Sequence, residues 1–187
     1  VEDEVITALR DEVCKRYPTL SHRYYELKAL WLGLDTLEYW DRNAPIPDSG
    51  DKHVSWDEAK NIVLNSYSEF DSQLGQIAAK FFDNPWIDAK PRRGKEPGAF
   101  SHPTVPSVHP YILMNYHEKS RDVMTLAHEL GHGIHQVLAA DQGFLLADTP
   151  LTLAETASVF GEMLTFQSLL KRAKGSASRK ILLASKV

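Results

Sequence analysis

The segment "TLAHELGHGIHQ", residues 125–136, restricts the possible folds of this chain more than any other stretch. Three histidines stand close together in it, His128, His132 and His135, and Glu129 follows the first of them. In a helix of 3.6 residues per turn, the three imidazoles fall within about 60° of one another, with Glu129 about 100° from His128. The segment therefore predicts a helix that packs one side into a core and presents histidines on the other. The apolar side carries Val123, Leu126, Leu130, Ile134 and Val137.

His128, Glu129 and His132 form the pattern H-E-x-x-H. Residues four apart are neighbours on a helix surface, so both imidazoles can bind one zinc ion at about 2.0–2.1 Å. Glu129 is rotated away from the ligand direction but stays near the same opening, where it can accept a proton from water. Gly131 and Gly133 each weaken the helix by roughly 1 kcal/mol relative to alanine. We expect their missing side chains to admit another segment at close range.

The third zinc ligand is the open question of the motif, since a catalytic zinc has three protein ligands and one position left for water. His135 stands seven residues after His128, about 10 Å along the helix axis, which disfavours it as a ligand of the same ion. A supporting or substrate-facing role suits it better. The longer pattern H-E-x-x-H-x-x-G-x-x-H requires a histidine at position 138, where this chain has Leu138, so that arrangement is excluded.

A glutamate on a later helix is the favoured third ligand. Glu155 follows His132 after a gap long enough for a turn and an antiparallel return, and small residues surround it in "TLAETAS". Thr152 and Glu155 also have the spacing of a capping box, so a purely structural role for Glu155 is an alternative. Glu162, two turns further on, is the competing ligand. Ser158, Glu162 and Asp122 are candidates to support the ligands through hydrogen bonds.

The rest of the chain predicts a mainly helical protein with a little strand. Pro18 interrupts the first helical pattern, and Gly33 is expected to end the next one. "HPYILMNY", residues 109–116, has strand character. Residues 90–98, "KPRRGKEPG", predict a mobile surface loop, with a substrate-facing flap as the alternative. Helices are expected over residues 2–17, 21–33, 55–68, 71–83, 120–139 and 151–172, with a further helical pattern at the end.

Composition limits the function classes. The chain has 187 residues and a net charge of -4, so no basic field indicates nucleic acid or an anionic membrane as partner. No apolar run reaches the roughly 18–20 residues that a membrane-spanning helix needs. The single cysteine, Cys14, allows no internal disulfide and is compatible with a reducing compartment. We therefore expect a cytoplasmic protein that has no nucleic-acid or membrane partner.

Several segments resemble one known family, the oligoendopeptidase F branch of the thimet-oligopeptidase-like zinc metallopeptidases. They are "LAHELGHGIHQ" with the following "TPLTLAETASVFGEML", and upstream "HPYILMNYHEKSRDVMTLAHELGH" and "RYYELKALWLGLDTLEYWDRNAP". The resemblance implies a mainly α fold with a zincin-type catalytic region, in which a small β-sheet lies beside the H-E-x-x-H helix. It also implies Zn2+ as cofactor, with His128, His132 and Glu155 as metal ligands and Glu129 as catalytic base.

The same resemblance implies a zinc-dependent endopeptidase that hydrolyses short oligopeptides by means of a zinc-activated water. Residues 109–116 would form the strand beside the cleft and pair with the substrate backbone. Members of that family are roughly three times longer, and transition-state-stabilising tyrosine and histidine residues would lie outside this chain.

We expect residues 1–187 to be one partial catalytic domain of a larger protein, with a helical part at about 1–90 and a zinc-site part at about 100–187. Two alternatives from other function classes remain. One is a non-catalytic, zinc-stabilised helical fragment that binds peptides, which would close the metal site with a fourth protein ligand. The other is a helical interaction domain without metal.

Overall fold

A computed structural model describes residues 2–46 and 53–186. The chain divides into two compact units, residues 1–50 with 183–187, and residues 51–182. Within the described residues no helix is long and apolar enough to span a lipid bilayer. The elements are α1 (Asp3–Leu32), α2 (Trp56–Phe70), α3 (Ser72–Asp83), β1 (Ile87–Asp88), β2 (Phe100–His102), β3 (Tyr111–Leu113), α4 (Ser120–Ala139), α5 (Leu151–Arg172) and α6 (Ser176–Lys186).

In the first unit, helix α1 runs without a break through Pro18. The prediction of two separate helices is therefore wrong. Proline fixes φ at a value that a helix accepts, and its missing N–H removes only one backbone hydrogen bond. The Ser21 hydroxyl donates to the Pro18 carbonyl at 3.2 Å, so Ser21 lies within the helix rather than capping one. Gly33 ends α1 as predicted, with φ at 69° in the left-handed region that glycine adopts without strain.

In the second unit, α2 and α3 begin at the polar residues that cap them. Ser55 accepts a hydrogen bond from the backbone N–H of Glu58, and Asp71 accepts from Gln73 and Leu74. These side chains satisfy donors that the first helical turn leaves without partners. The two helices pack against α4 around an apolar core, which includes Val63, Tyr67, Ile77, Phe81, Ile112, Met114, Leu126 and Leu130.

Three short strands form a sheet of order β1-β3-β2 in the same unit. β1 pairs with β3 in parallel, and β2 pairs with β3 antiparallel, with Ser101 opposite Ile112. The predicted strand in residues 109–116 is present as β3, at the centre of the sheet. A central strand uses both of its edges for pairing, so β1 and β2 are the edge strands.

The loop between β1 and β2 is anchored at Lys95, whose side chain is only 1% exposed. Its ammonium group donates to the carbonyls of Asp88 and Met114 at 2.8 and 2.5 Å, and it lies 3.0 Å from the Asp88 carboxylate. The Asn115 side chain donates to the carbonyls of Glu96 and Gly98. Residues 90–98 form a surface loop, as predicted, and the buried ammonium group of Lys95 ties it to β1 and to the end of β3. Its mobility stays a prediction.

Helices α4 and α5 approach each other at glycine. A Cβ at Gly131 would lie 2.6 Å from the Ala157 carbonyl oxygen and 2.7 Å from Cα of Ser158. One at Gly161 would overlap the hydroxyl of Tyr67, which donates to the Ala127 carbonyl at 2.9 Å. The predicted close approach at Gly131 is confirmed, and it brings the backbone of α5 directly against α4.

Gly133 lies on another side of α4, where a Cβ would lie 2.7 Å from the Phe81 ring. The close approach predicted there is also confirmed, with the aromatic ring of α3 as the neighbour. The whole arrangement confirms the expected fold class: it is mainly helical, and its small sheet lies beside the H-E-x-x-H helix.

Candidate metal centre and cleft

Helix α4 separates its two faces as the sequence predicts. Val123, Leu126 and Leu130 are no more than 1% exposed, and Ile134 is 4% exposed. His128 and His132 are half-buried on the other side, with ring centroids 5.0 Å apart. The apolar side fixes the rotation of the helix in the core, and that rotation turns both imidazoles towards the start of α5.

Glu155, in the second turn of α5, faces both histidines. Its Oε2 lies 3.2 Å from Nε2 of His128 and 3.6 Å from Nε2 of His132. Helix α5 begins after Pro150 without a side-chain cap, so the alternative in which Thr152 and Glu155 form a capping box is not realised. The carboxylate of Glu155 is therefore available to the histidines.

These three side chains fit the donor set of a zinc ion. In a tetrahedral site with bonds of about 2.0–2.1 Å, neighbouring ligand atoms lie about 3.3 Å apart, close to the two observed distances. One donor atom from each residue lies within 4.8 Å of the others, and this is the only such group of His, Cys, Asp or Glu in the part of the chain that the structure describes. His135 is not part of it, as its distance along the helix predicts.

Two of the three supporting residues proposed from the sequence contact the predicted ligands. The Ser158 hydroxyl donates to Oε2 of Glu155 at 2.7 Å. Oε2 of Glu162 lies 3.4 Å from Nδ1 of His128, so Glu162 meets the ring nitrogen that points away from Glu155. An ionised carboxylate only accepts, so this contact favours the tautomer with its proton on Nδ1 and leaves Nε2 free to bind a metal.

The third proposed supporting residue, Asp122, lies elsewhere. Its carboxylate accepts from the backbone N–H groups of His117 and Lys119, at 2.7 and 3.0 Å, and so caps the start of α4. Proposing it as a partner of the ligands was wrong, because a carboxylate in the first helical turn is held by the free backbone donors there.

Glu129 is 6% exposed, yet it lines the same cavity as the histidines. Burial raises the pKa of its carboxyl group above the ordinary value, while the neighbouring His128 lowers it and Glu155 raises it. A carboxylate that is poorly solvated gains more from accepting a proton than one in water. Glu129 thus lies beside the group formed by His128, His132 and Glu155 rather than within it.

The other charged groups of the centre respond to their neighbours. Burial lowers the pKa of His132, and the Glu155 carboxylate opposes that shift. The hydrogen bond from Ser158 lowers the pKa of Glu155, with both histidines acting in the same direction. Neutral imidazole and ionised carboxylate are the forms that bind metal.

A cavity of about 350 Å³ opens over this centre between α4 and β2. Its walls include His135 and Gln136 from α4, and Phe100 and Ser101 from β2. The prediction that residues 109–116 would pair with a substrate backbone is therefore wrong. That segment forms the central strand β3, whose edges are used, whereas β2 is the edge strand that borders the cleft.

The sequence reasoning missed Ser101 and Gln136 as residues of the cleft. The Ser101 hydroxyl donates to Oε1 of Gln136 at 2.8 Å, and Nε2 of Gln136 donates to the Ser101 carbonyl at 3.2 Å. One signal was available for Gln136: it stands four residues after His132 and so continues the histidine side of the helix. No signal identified Ser101, because a three-residue strand is too short for periodicity to reveal.

Comparison with known protein families gives a consistent assignment. A family model described as "Peptidase family M3" matches residues 1–186. The chain is similar to the oligopeptidase PepF of Bacillus subtilis, with 29% identity over 184 residues that make up 98% of this chain and 27% of that protein. It is also similar to an oligoendopeptidase F homolog of Lactococcus lactis, with 31% identity over 98% of this chain and 30% of that protein.

Solved structures agree with this result. A crystal structure described as a peptidase from Chlamydophila abortus superposes with a TM-score of 0.84 at 29% identity, covering 100% of this chain and 31% of that one. One described as an oligoendopeptidase F from Bacillus anthracis gives a TM-score of 0.76 at 19% identity, which shows a common fold. The chain thus spans less than a third of the length of the relatives that it matches.

Proposed function

Because this chain belongs to peptidase family M3, we propose that its protein is a zinc-dependent endopeptidase that hydrolyses short oligopeptides. The observation that carries the proposal is the convergence of His128, His132 and Glu155 beside the buried Glu129. The names of the relatives, an oligopeptidase and an oligoendopeptidase F, support the same reaction and substrate class. The membership agrees with the resemblance found in the sequence.

His128 and His132 would hold the zinc ion through Nε2, and Glu155 would hold it through its carboxylate. When bound, zinc supplies a Lewis acid that lowers the pKa of water and polarises a carbonyl oxygen. Glu162 keeps the ring of His128 oriented through Nδ1, and Ser158 orients the Glu155 carboxylate. Such partners of metal ligands typically change metal affinity by about 10–100-fold when they are removed.

Glu129 would act as the general base and then as the general acid. Its carboxylate accepts a proton from the attacking water and passes that proton to the amine that leaves when the peptide bond breaks. Burial favours this role because it raises the pKa of the Glu129 carboxyl group, which makes the carboxylate a stronger base. Its position next to His128 keeps it within reach of the metal centre without making it a ligand.

The substrate would lie in the cleft between α4 and β2. An extended peptide can add to an edge strand through backbone hydrogen bonds, which are independent of its side chains. This mode suits short, unfolded peptides, since a folded protein cannot present an extended backbone to a cavity of about 350 Å³. We place the reaction in the cytoplasm, in agreement with the single cysteine of the chain.

The metal ligands can be tested by measuring zinc content and zinc affinity of the intact protein. We expect His128→Ala and Glu155→Ala each to lose tightly bound zinc. His135→Ala is the matched control on the same helix and should retain zinc, because His135 lies outside the donor group. If Glu155→Ala binds zinc fully and Glu162→Ala loses it, the third ligand is Glu162 and not Glu155.

The base is tested with Glu129→Gln, which keeps the shape of the side chain and removes its ability to accept a proton. We expect full zinc occupancy and a fall in kcat of at least about 100-fold on a quenched fluorescent peptide, as removal of a general base typically gives. Zinc binding without any peptide cleavage by the unaltered intact protein would instead favour a non-catalytic peptide-binding protein.

A further inference from the structure

The edge strand β2 presents one complete set of backbone groups to the cleft, at Ser101. Its partner in the sheet, Ile112, donates its N–H to the Trp86 carbonyl on the β1 side. Ile112 therefore points its backbone groups towards β1 and not towards β2. In an antiparallel pair of strands, the residue directly opposite then also points its N–H and C=O away from its partner strand. The N–H and C=O of Ser101 therefore lie along the outer edge of β2, on the side that faces α4.

Gln136 binds Ser101 with both atoms of its side-chain amide. Nε2 donates to the Ser101 carbonyl at 3.2 Å, and Oε1 accepts from the Ser101 hydroxyl at 2.8 Å. The same helix carries His132 one turn earlier. These two hydrogen bonds thus connect the edge strand directly to the helix that bears the metal-binding histidines.

The hydrogen bonds between Gln136 and Ser101 determine which backbone groups of β2 an incoming peptide can bind. Gln136 already uses one lone pair of the Ser101 carbonyl. Pro103, two residues later and so on the same side of the chain, has no N–H to donate. Within β2 itself, Ser101 is therefore the residue whose N–H points outward, where it can meet a peptide carbonyl. A displacement of β2 would move that donor relative to the histidines, and would so weaken the backbone hydrogen bond that a peptide can make there.

We propose that Gln136 is a positioning residue for the peptide: through Ser101 it fixes the distance and register of β2 over α4, so that the edge-strand pairing proposed above can take place at the Ser101 N–H. This inference rests on the proposed peptidase function and deepens it. The residue itself touches neither the scissile bond nor the metal donors, so its loss should affect peptide binding more than chemistry.

The kinetic test compares Gln136→Ala with unaltered intact protein on a quenched fluorescent peptide. Losing two hydrogen bonds of about 1 kcal/mol each should raise KM by roughly 10–30-fold. We expect kcat to change by less than about threefold and zinc affinity to stay the same. Gln76→Ala, at an exposed position of α3, is the matched control and should leave all three values unchanged.

A conservative variant separates positioning from general loss of packing. Gln136→Glu can still accept from the Ser101 hydroxyl but cannot donate to its carbonyl, so its KM should lie between those of the unaltered protein and Gln136→Ala. In a Ser101→Ala background the change caused by Gln136→Ala should shrink, because the two residues act as a pair. Equal changes in both backgrounds would overturn the pairing.

The contact with substrate is tested by amide hydrogen exchange. In Glu129→Gln, which is expected to bind the peptide without cleaving it, peptide binding should slow exchange at the Ser101 N–H. Unchanged exchange at Ser101, or unchanged KM in Gln136→Ala while the unaltered protein cleaves the peptide, would overturn this inference and leave the peptidase proposal intact. Absence of cleavage and of zinc in the unaltered protein would overturn both.

Discussion

The two walls of the cleft are held in different ways. On one wall, α5 lies against α4 at backbone distance, because Gly131 leaves no side chain between them. On the other wall, β2 and the loop before it are held by polar side chains, chiefly Gln136 and Lys95. The helical wall is therefore sensitive to added volume, and the strand wall is sensitive to lost hydrogen-bond donors.

The difference agrees with the function proposed for each wall. The helical wall brings donor atoms from two helices to within 4.8 Å, and metal ligands tolerate errors of only a few tenths of an ångström. Direct contact between helices fixes such distances. The strand wall has only short strands and few ladder hydrogen bonds, so buried side-chain donors supply the remaining constraints.

The largest effect on the proposed metal site is expected from Gly131→Ala. The new methyl group would lie 2.6 Å from the Ala157 carbonyl oxygen and would push α5 away, a type of overpacking that typically costs about 1–3 kcal/mol. Alanine would recover about 1 kcal/mol of helix propensity, but the displaced Glu155 would no longer meet the histidines. We expect zinc affinity, measured by competition with a chelator, to fall by more than about tenfold.

Gly133→Ala is the control, because it adds the same methyl group to α4 on a side that does not face α5. Its methyl group would meet the Phe81 ring in the core, 2.7 Å away, and not α5. The free energy of unfolding should fall, while zinc affinity of the folded protein should change little. Equal losses of zinc affinity in the two variants would contradict the idea that contact at Gly131 sets the metal distances.

On the strand wall, Lys95→Met is expected to have an intermediate effect. The substitution keeps the length of the side chain but leaves the carbonyls of Asp88 and Met114 without their buried donor, at a cost of about 2–3 kcal/mol. Hydrogen exchange over residues 90–98 should accelerate, and zinc affinity should remain. Lys90→Met, at an exposed position in the same loop, should change neither measurement.

The smallest effect is the contribution of Asp88 to the pH dependence of the free energy of unfolding. Hydrogen bonds from Arg92 and Lys95 lower the pKa of this carboxyl group from 3.8 to about 2. Because the pKa is lower in the folded state, the carboxylate stabilises the protein above pH 4, and this contribution disappears as the pH falls through about 2. Asp88 is partly exposed, so the effect should stay below about 1 kcal/mol.

Asp88→Asn measures that contribution directly. In chemical denaturation the variant should be less stable than the unaltered protein above pH 4, and the two should converge towards pH 2. A difference that stays constant down to pH 2 would mean that Asp88 acts through packing and not through its charge.

Local patterns predicted the features that one segment determines by itself. The separation of faces on α4 follows from helical periodicity, and the end of α1 follows from Gly33. The position of Asp122 could not be predicted in this way, because its carboxylate had two roles open to it. In the structure it accepts from the backbone N–H groups of His117 and Lys119, just before α4, so capping prevails.

The sequence by itself determined the helix that carries His128, Glu129 and His132, because helical spacing alone puts the two imidazoles side by side. Only the tertiary structure decided that Glu155 faces Nε2 of both histidines and that β2, not β3, borders the cleft. Those facts depend on how separate elements meet. The contact that brings Glu155 towards the histidines is made at Gly131: the sequence shows that a side chain is missing there, but not which segment fills the space.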